Sequence, residues 1–125
     1  MSREKMLETA EALVRLCREG REAEALDTLY DPGCVSVEAN TPGEMSEAAG
    51  LEAIRGKHAW WSENFELHDA TVEGPFPHGP DRFAVIFGMD TTEKATGTRS
   101  QMREVAVYTV TPAGRIRREE FFYGD

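Results

Sequence analysis

The periodicity of the apolar residues changes once along this chain, near residue 64. Before that point apolar residues recur every three or four positions, as on one face of a helix; Leu51, Ile54 and Trp61 are an example. After it they alternate with polar residues or form short continuous runs, which is typical of strands. Helices that precede a meander of strands pack on one face of the sheet. We therefore predict an α+β fold in which three helices from the N-terminal half pack in a strongly curved antiparallel sheet.

Three helices are expected in the first half of the chain. The first extends from an N-cap at Ser2 to a C-terminal cap at Gly20. The second is short and ends at the turn Asp31-Pro32-Gly33. The third is expected from about Leu51 to Asn64, and its apolar face includes His58.

Two segments are predicted to lack regular structure. Residues Asn40 to Ala49 are polar, with a proline and a glycine, and indicate a loop. Residues Gly74 to Pro80 are rich in proline and glycine and indicate a connection between strands. The expected strands are Cys34 to Glu38, Phe65 to Glu73, Phe83 to Met89, Met102 to Val110 and Arg115 to Tyr123.

The charge balance excludes two classes of partner. The 125 residues are within the size of one domain, so a single domain over residues 1–125 is expected. Basic residues number 14 and acidic residues 23, which gives a formal net charge of −9. Such a surface repels nucleic acid and anionic lipid. No apolar run approaches the roughly 18 residues of a membrane-spanning helix, so neither nucleic acid nor a membrane is expected as a partner.

The cysteines and histidines do not indicate a metal or redox centre. Cys17 and Cys34 are far apart in the sequence and are predicted to be free structural thiols. No pair of histidines has the spacing of zinc ligands, and there is no glycine-rich phosphate motif, so no metal and no cofactor are expected. Residues Met1 to Met6 are charged and no apolar run follows them, which predicts a cytoplasmic protein.

Three short motifs, in this order, resemble the nuclear transport factor two-like superfamily and, within it, the SnoaL-like group. They are Leu29-Tyr30-Asp31-Pro32 before the first strand, Gly50-Leu51-Glu52-Ala53-Ile54-Arg55 at the third helix, and Gly114-Arg115-Ile116 at the last strand. The resemblance covers almost the whole chain. It implies a cone-like sheet closed by helices, a central and mostly apolar pocket, and a homodimer. The family includes steroid isomerases, polyketide cyclases, dehydratases and non-catalytic binding domains, so its fold leaves the function open.

The resemblance also implies where catalytic residues would lie. In the isomerases the base, the tyrosine donor and the protonated aspartate correspond to Ala39, Leu13 and Ala106 here, and all three are apolar. The cyclases carry a His-Trp-Asp-like stretch in the final strand, where this chain reads Glu119-Glu120-Phe121-Phe122-Tyr123. Neither set of catalytic residues is present, although glutamates can perform the same proton transfers.

The strand residues that face the pocket follow from the resemblance and from period-two alternation. One strand is expected to turn Ile86, Gly88 and Asp90 inward. The inward residues of the next two strands are expected to be Met102, Glu104, Ala106 and Tyr108, and Arg117, Glu119, Phe121 and Tyr123. The predicted ligand-binding residues are His58, Trp61, Gly88, Met102, Tyr108, Phe121 and Tyr123, with Trp61 and Tyr123 in the wall of a cavity and Met102 near its floor. A slip of one residue would invert these assignments.

Three carboxylates are candidate acids or bases: Asp90, Glu104 and Glu119. Asp90 and Glu104 lie on adjacent strands of a predicted hairpin. Burial and like charge would raise the pKa of one of them toward neutrality. The alternative is that these carboxylates are solvated or pair with Arg103 or Arg117.

Three functions therefore remain open. The first is a cofactor-independent proton-transfer enzyme (an isomerase, cyclase or dehydratase) acting on a small apolar or aromatic molecule. The second is a ligand-binding domain without chemistry, and the third is an interaction module. A buried carboxylate that converges with a hydrogen-bond donor would distinguish the first from the second. Val105 and Val107 lie opposite Ala106 and Tyr108 along one strand, so apolar residues on both faces predict a homodimer through the outer face.

Overall fold

The computed structural model describes residues 2–38 and 46–123, which form three helices and six strands. The helices are α1 (Ser2–Arg18), α2 (Glu22–Leu29) and α3 (Leu51–Asn64). The strands are β1 (Tyr30–Glu38), β2 (Ser46–Ala49), β3 (Phe65–His78), β4 (Arg82–Glu93), β5 (Arg99–Val110) and β6 (Ile116–Tyr123). The predicted α+β class is confirmed, and the bounds of α3 agree with those expected from its periodicity.

The six strands form one curved, unclosed sheet in the order β2-β1-β6-β5-β4-β3. Every pair of neighbours is antiparallel except β1 and β6, which run parallel. The sheet is therefore mixed rather than purely antiparallel. The parallel pair brings the start of the sheet beside its end, since Ser36 pairs with Glu119 and Glu38 with Phe121.

The core lies between the helices and one face of the sheet, which we call the inner face. Met6 and Leu13 from α1 and Ile54 from α3 are buried in the same cluster as Phe83 of β4. The Phe83 ring stacks on Tyr108 of β5, with 4.9 Å between the ring centroids. None of the described helices has the length and apolar character that crossing a membrane requires.

Cross-strand pairing shows which side chains belong to the inner face, because directly paired residues share a face. Phe83 pairs with the buried Tyr108, and Phe87 pairs with Glu104. Met102, Glu104, Ala106 and Tyr108 therefore lie on the inner face, as predicted. Three residues of β6 pair with these inner-facing residues: Glu119 with Tyr108, Phe121 with Ala106, and Tyr123 with Glu104. They also lie on the inner face, as predicted.

The face predicted for β4 is wrong. Gly88 pairs with Arg103, and a Cβ on Gly88 would meet the side chains of Thr71 and Arg103. Arg103 is exposed and forms an ion pair with Glu73 at 3.0 Å. Gly88 therefore lies on the outer face, and Ile86 and Asp90 share it because they are two residues away on the same strand.

Two segments predicted to be irregular contain strand. Part of the expected loop forms β2, which pairs with β1; residues 39–45, including Ala39, lie outside the described residues. The second segment continues β3 as far as His78. Its ladder shifts register between Glu73 and Phe76, where Gly74 adopts a positive φ of 123°. Because β3 is an edge strand, prolines there interrupt no second ladder.

Two glycine substitutions are expected to change stability in opposite directions. Gly114 has φ +85°, and an added Cβ would lie 3.2 Å from the Cβ of Lys5, so Gly114→Ala should lower the free energy of unfolding by more than about 1 kcal/mol. Gly56, inside α3, has open space around its Cα, so Gly56→Ala should raise it by about 0.5–1 kcal/mol. Urea unfolding of both variants measures the difference, and a stable Gly114→Ala would contradict the turn geometry.

Candidate functional site

The inner face is tightly packed in one half and more open in the other. Val85, Ala106 and Tyr108 are fully buried under the helices. Farther along the same strands the inner-facing side chains are only half-buried, and we call this region the open half. It comprises Phe87, Met89, Met102, Glu104, Phe121 and Tyr123.

Polar side chains converge where the packed half meets the open half. We call this group the inner polar cluster; it consists of Tyr30, Ser36, Glu38, Lys57, Glu104 and Glu119. Three of these residues come from β1, and one each comes from α3, β5 and β6. The parallel pairing of β1 with β6 places Ser36 directly beside Glu119.

Glu119 is the most buried member, with 1% of its surface exposed. Its Oε1 accepts a hydrogen bond from the Tyr30 hydroxyl, and that hydroxyl also interacts with Tyr108. Burial raises the pKa of the Glu119 carboxyl, while the hydrogen bonds from Tyr30 and Ser36 and the charge of Lys57 oppose this shift. The Ser36 hydroxyl is near this carboxyl, yet among the described residues no group meets hydrogen-bond geometry at Oε2. Glu119 is therefore a buried acid with one oxygen unused.

Lys57 projects from α3 into the cluster. Its Nζ donates a hydrogen bond to Ser36 Oγ at 2.8 Å and lies 3.5 Å from Glu38 Oε2. The same Nζ is 4.8 Å from the centroid of the Phe121 ring, within the range of a cation–π interaction. The ammonium group thus contacts both strands of the parallel pair.

Glu104 is the member whose charge changes near neutral pH. Burial raises the pKa of its carboxyl to about 7, and the negative charges of Glu38 and Glu119 add to that effect, while Lys57 opposes it. At neutral pH both the acid and the carboxylate form are populated. A group of this kind can both accept and release a proton.

Asp90 is not part of the cluster. It lies on the outer face and forms two hydrogen bonds with Arg99, one of them at 2.9 Å. The hydrogen bond from Arg99 lowers the pKa of the Asp90 carboxyl. The prediction that Asp90 and Glu104 share one site is therefore wrong. Gly88, predicted to bind a ligand, lies on the outer face with Asp90.

The other predicted ligand-binding residues occupy different environments. Met102, Phe121 and Tyr123 lie in the open half, whereas Tyr108 is core. Trp61 lies at the end of α3 and packs on Phe65, with 4.2 Å between ring centroids.

His58 is half-buried on α3. Burial and the nearby charge of Lys57 lower the pKa of its imidazole. The neutral ring is therefore favoured.

Four members of the cluster were missed from the sequence: Tyr30, Ser36, Glu38 and Lys57. A signal for Lys57 was present, because it follows Ile54 by three residues and precedes Trp61 by four, which places it on the same helix face. No comparable signal existed for the β1 residues, since their relation to Glu119 depends on the parallel pairing.

The cysteines are free, as predicted. Burial raises the pKa of both the Cys17 and the Cys34 thiol to about 12, which disfavours the reactive thiolate. Within residues 2–38 and 46–123, no three His, Cys, Asp or Glu side chains converge as metal ligands would.

The free energy of unfolding is expected to fall as the pH rises from about 5 to about 8. Glu104 has a pKa of about 7 in the folded chain and an ordinary value in the unfolded chain, so the folded state binds more protons between the two values. Stability is therefore lost as the pH rises through this window. One pKa unit corresponds to about 1.4 kcal/mol, and the pKa of Glu104 rises from 4.5 to about 7, so Glu104 should contribute a loss on the order of 3 kcal/mol, measurable by urea unfolding across this range.

Glu104→Gln removes this titration and should make the pH dependence shallower. Glu66→Gln, on the exposed start of β3, is the matched control and should keep the wild-type slope. A slope that Glu104→Gln leaves unchanged would mean that Glu104 titrates normally.

Comparison with known proteins places this geometry in a family. The family model described as "SnoaL-like domain" matches residues 5–123. A Mesorhizobium loti protein described as a candidate SnoaL-like polyketide cyclase is 41% identical, with a TM-score of 0.86 over 94% of this chain and 97% of that one. A search of curated proteins finds no match.

Two more distant structures share the fold. A candidate isomerase of Bacillus subtilis is 19% identical, with a TM-score of 0.75 over 99% of this chain and 89% of that one. A Mycobacterium tuberculosis protein in complex with estradiol-17β-hemisuccinate is 22% identical, with a TM-score of 0.66 over 96% of this chain and 94% of that one. At these identities the likeness concerns the fold alone. Because the family model spans nearly the whole chain, this protein belongs to the SnoaL-like domain family.

Proposed function

We propose that this protein is a cofactor-independent proton-transfer enzyme of the isomerase, cyclase or dehydratase kind. The observation that carries the proposal is Glu104, a half-buried carboxyl with a pKa of about 7 on the inner face of the sheet. A general acid or base works best when its pKa is near the working pH, and such values arise where burial and like charges act together. Glu104 meets both conditions.

The chemistry assigns different roles to the carboxyls. The Glu104 carboxylate removes a proton from a carbon next to a carbonyl group, and the electron pair of that C–H bond moves onto the carbonyl oxygen. The Glu119 carboxyl, held by Tyr30 and almost fully buried, supports the site without touching the substrate, and the positive charge of Lys57, which already acts on Glu104, stabilises the developing negative charge. Glu104 then returns the proton to a second carbon that a C=C bond conjugates with the enolate, and the electron pair on oxygen re-forms the carbonyl, so no external oxidant or reductant is needed.

The open half suits an apolar or aromatic substrate. Met102, Phe121 and Tyr123 supply apolar surface around Glu104, and Trp61 and Phe65 extend it at the end of α3. Aromatic walls of this kind favour a flat molecule with one polar end. The same fold holds a steroid ester in the Mycobacterium tuberculosis protein, which supports the shape of the proposed ligand but not its identity.

Deuterium exchange tests the proton-transfer step without knowledge of the natural substrate. The probe is 2-tetralone, a flat apolar ketone with acidic C–H bonds, incubated with the protein in D2O and followed by NMR. The wild-type protein should accelerate exchange over buffer. Glu104→Gln should slow the catalysed exchange by at least about 10²-fold, since removal of a general base typically costs that much. The catalysed rate should rise as the pH increases through about 7, when Glu104 becomes a carboxylate.

Glu66→Gln is the control variant and should exchange at the wild-type rate. Equal rates for wild type and Glu104→Gln would refute the role of Glu104. Binding of 2-tetralone without catalysed exchange would instead favour the non-catalytic ligand-binding domain.

We also propose that the protein is a homodimer that forms through the outer face of the sheet. Val105 and Phe122 pair across β5 and β6 and remain 38% and 42% exposed. Ile86 pairs with Val105 from the other side, so an apolar strip crosses three strands. An exposed apolar strip of this kind is typical of an interface between protein chains.

Phe122→Glu is expected to convert the dimer into a monomer, because it places a charge in the centre of the apolar strip. Light scattering should then change from twice the chain mass of 14.0 kDa to the chain mass itself. Leu67→Glu is the control, since Leu67 is exposed but pairs with Thr91, which faces inward. A wild-type protein that is monomeric at micromolar concentration would contradict the proposal.

A further inference from the structure

Lys57 joins parts of the inner polar cluster that are distant in the sequence. Its Nζ reaches Ser36 and Glu38 on β1 and lies over the Phe121 ring on β6. The Lys57 side chain is only 22% exposed and that of Glu38 only 17%. A lysine on the surface of a helix normally extends its ammonium group into water, whereas here the ammonium turns toward the sheet. Such burial is unfavourable unless the charge is paired and hydrogen-bonded.

The direction of the hydrogen bonds around Lys57 is determined by chemistry. An ammonium group can only donate, so Ser36 Oγ accepts from Lys57. The hydroxyl hydrogen of Ser36 must then point elsewhere, and the Glu119 carboxyl is the neighbour that its interaction stabilises. Tyr30 donates to the other side of that carboxyl. Lys57 therefore fixes the oxygen of Ser36, which lies beside the Glu119 carboxyl without a hydrogen bond to its second oxygen.

The cluster contains one positively charged group and three carboxyl groups. Three carboxyl groups (Glu38, Glu104 and Glu119) share the field of the Lys57 ammonium, which is in ion-pair contact with the first and acts through space on the other two. The Lys57–Glu38 contact of 3.5 Å is an ion pair but not a hydrogen bond, and Glu38 Oε2 has no hydrogen-bond partner among the described residues. Lys57 thus donates its hydrogen bond to Ser36, while the positive charge of its ammonium acts on all three carboxyls.

We propose that Lys57 is a positioning residue of this site: its ammonium holds the Ser36 hydroxyl oxygen beside Glu119 and forms an ion pair with Glu38. Lys57 itself transfers no proton to the substrate. Its positive charge favours the carboxylate form of Glu104, and it therefore sets the pH range in which Glu104 acts as a base. This role rests on the proposed proton-transfer function, but its electrostatic part can be measured in the free protein.

The Glu104 titration provides that measurement. In protein labelled with ¹³C at glutamate side chains, the Glu104 carboxyl signal is identified by its loss in Glu104→Gln and is then followed with pH. Lys57→Met keeps the length of the side chain and removes the charge. The titration midpoint of Glu104 should rise by roughly one pH unit, because a nearby positive charge favours the carboxylate. Lys57→Arg should restore a midpoint close to that of the wild type.

Lys94→Met is the matched control. Lys94 Nζ donates to the carbonyl oxygen of Ser62, away from the cluster, so this variant should leave the midpoint unchanged. If Lys57→Met does not fold, Lys57→Gln replaces it, because glutamine keeps a donor for Ser36 and still removes the charge.

The exchange of 2-tetralone adds a functional readout. In Lys57→Met the pH profile of exchange should move to higher pH by the same amount as the NMR midpoint, and Lys57→Arg should move it back. A Glu104 midpoint that is the same in Lys57→Met and wild type would overturn the inference. Absence of exchange in the wild-type protein would refute the proposed enzyme, while the NMR titration would still decide the electrostatic role of Lys57.

Discussion

The hydrogen bond from Tyr30 to Glu119 is the interaction on which the rest of this site depends. A carboxyl group with almost no exposed surface is unfavourable unless its oxygens are hydrogen-bonded or it keeps its proton. Tyr30 begins β1 and Glu119 lies in β6, so the bond joins two strands that are far apart in the sequence. Because these strands run parallel, Ser36 lies beside Glu119, and Glu38 follows at the open half of the inner face. The polar cluster thus depends on one buried acid.

The division of the inner face into a packed half and an open half explains how a small domain can hold both a core and a site. Met6, Leu13 and Ile54 fill the packed half against β4, β5 and β6. Toward the open half the helices cover the strands less completely, so the inner-facing side chains remain half-buried. Carboxyls at this boundary lose part of their hydration yet stay within reach of a small molecule. This intermediate environment is the physical reason that the pKa of Glu104 lies near neutrality.

Asp90, Glu104 and Glu119 were all predicted to face the site, but only the two glutamates do. On β5 and β6 polar and apolar residues do not alternate cleanly, and the inward positions of Glu104 and Glu119 were predicted because the family resemblance supplied the phase. On β4 the run from Phe83 to Met89 is apolar throughout, and both phases then look alike. Only the pairing of Gly88 with Arg103 shows that Asp90 belongs to the outer face, where Arg99 neutralises it.

The sequence by itself determined the class of the fold, the bounds of α3 and the free thiols. These features depend on local periodicity and on alternation within one element, which a single segment contains. The tertiary structure alone decided that β1 lies parallel to β6 and that Lys57 turns toward the sheet. Both are contacts between segments 20 to 90 residues apart, such as Lys57 with Ser36 and Tyr30 with Glu119. Local patterns carry no information about such pairings, because the free energy that selects them comes from burial and charge in the assembled core.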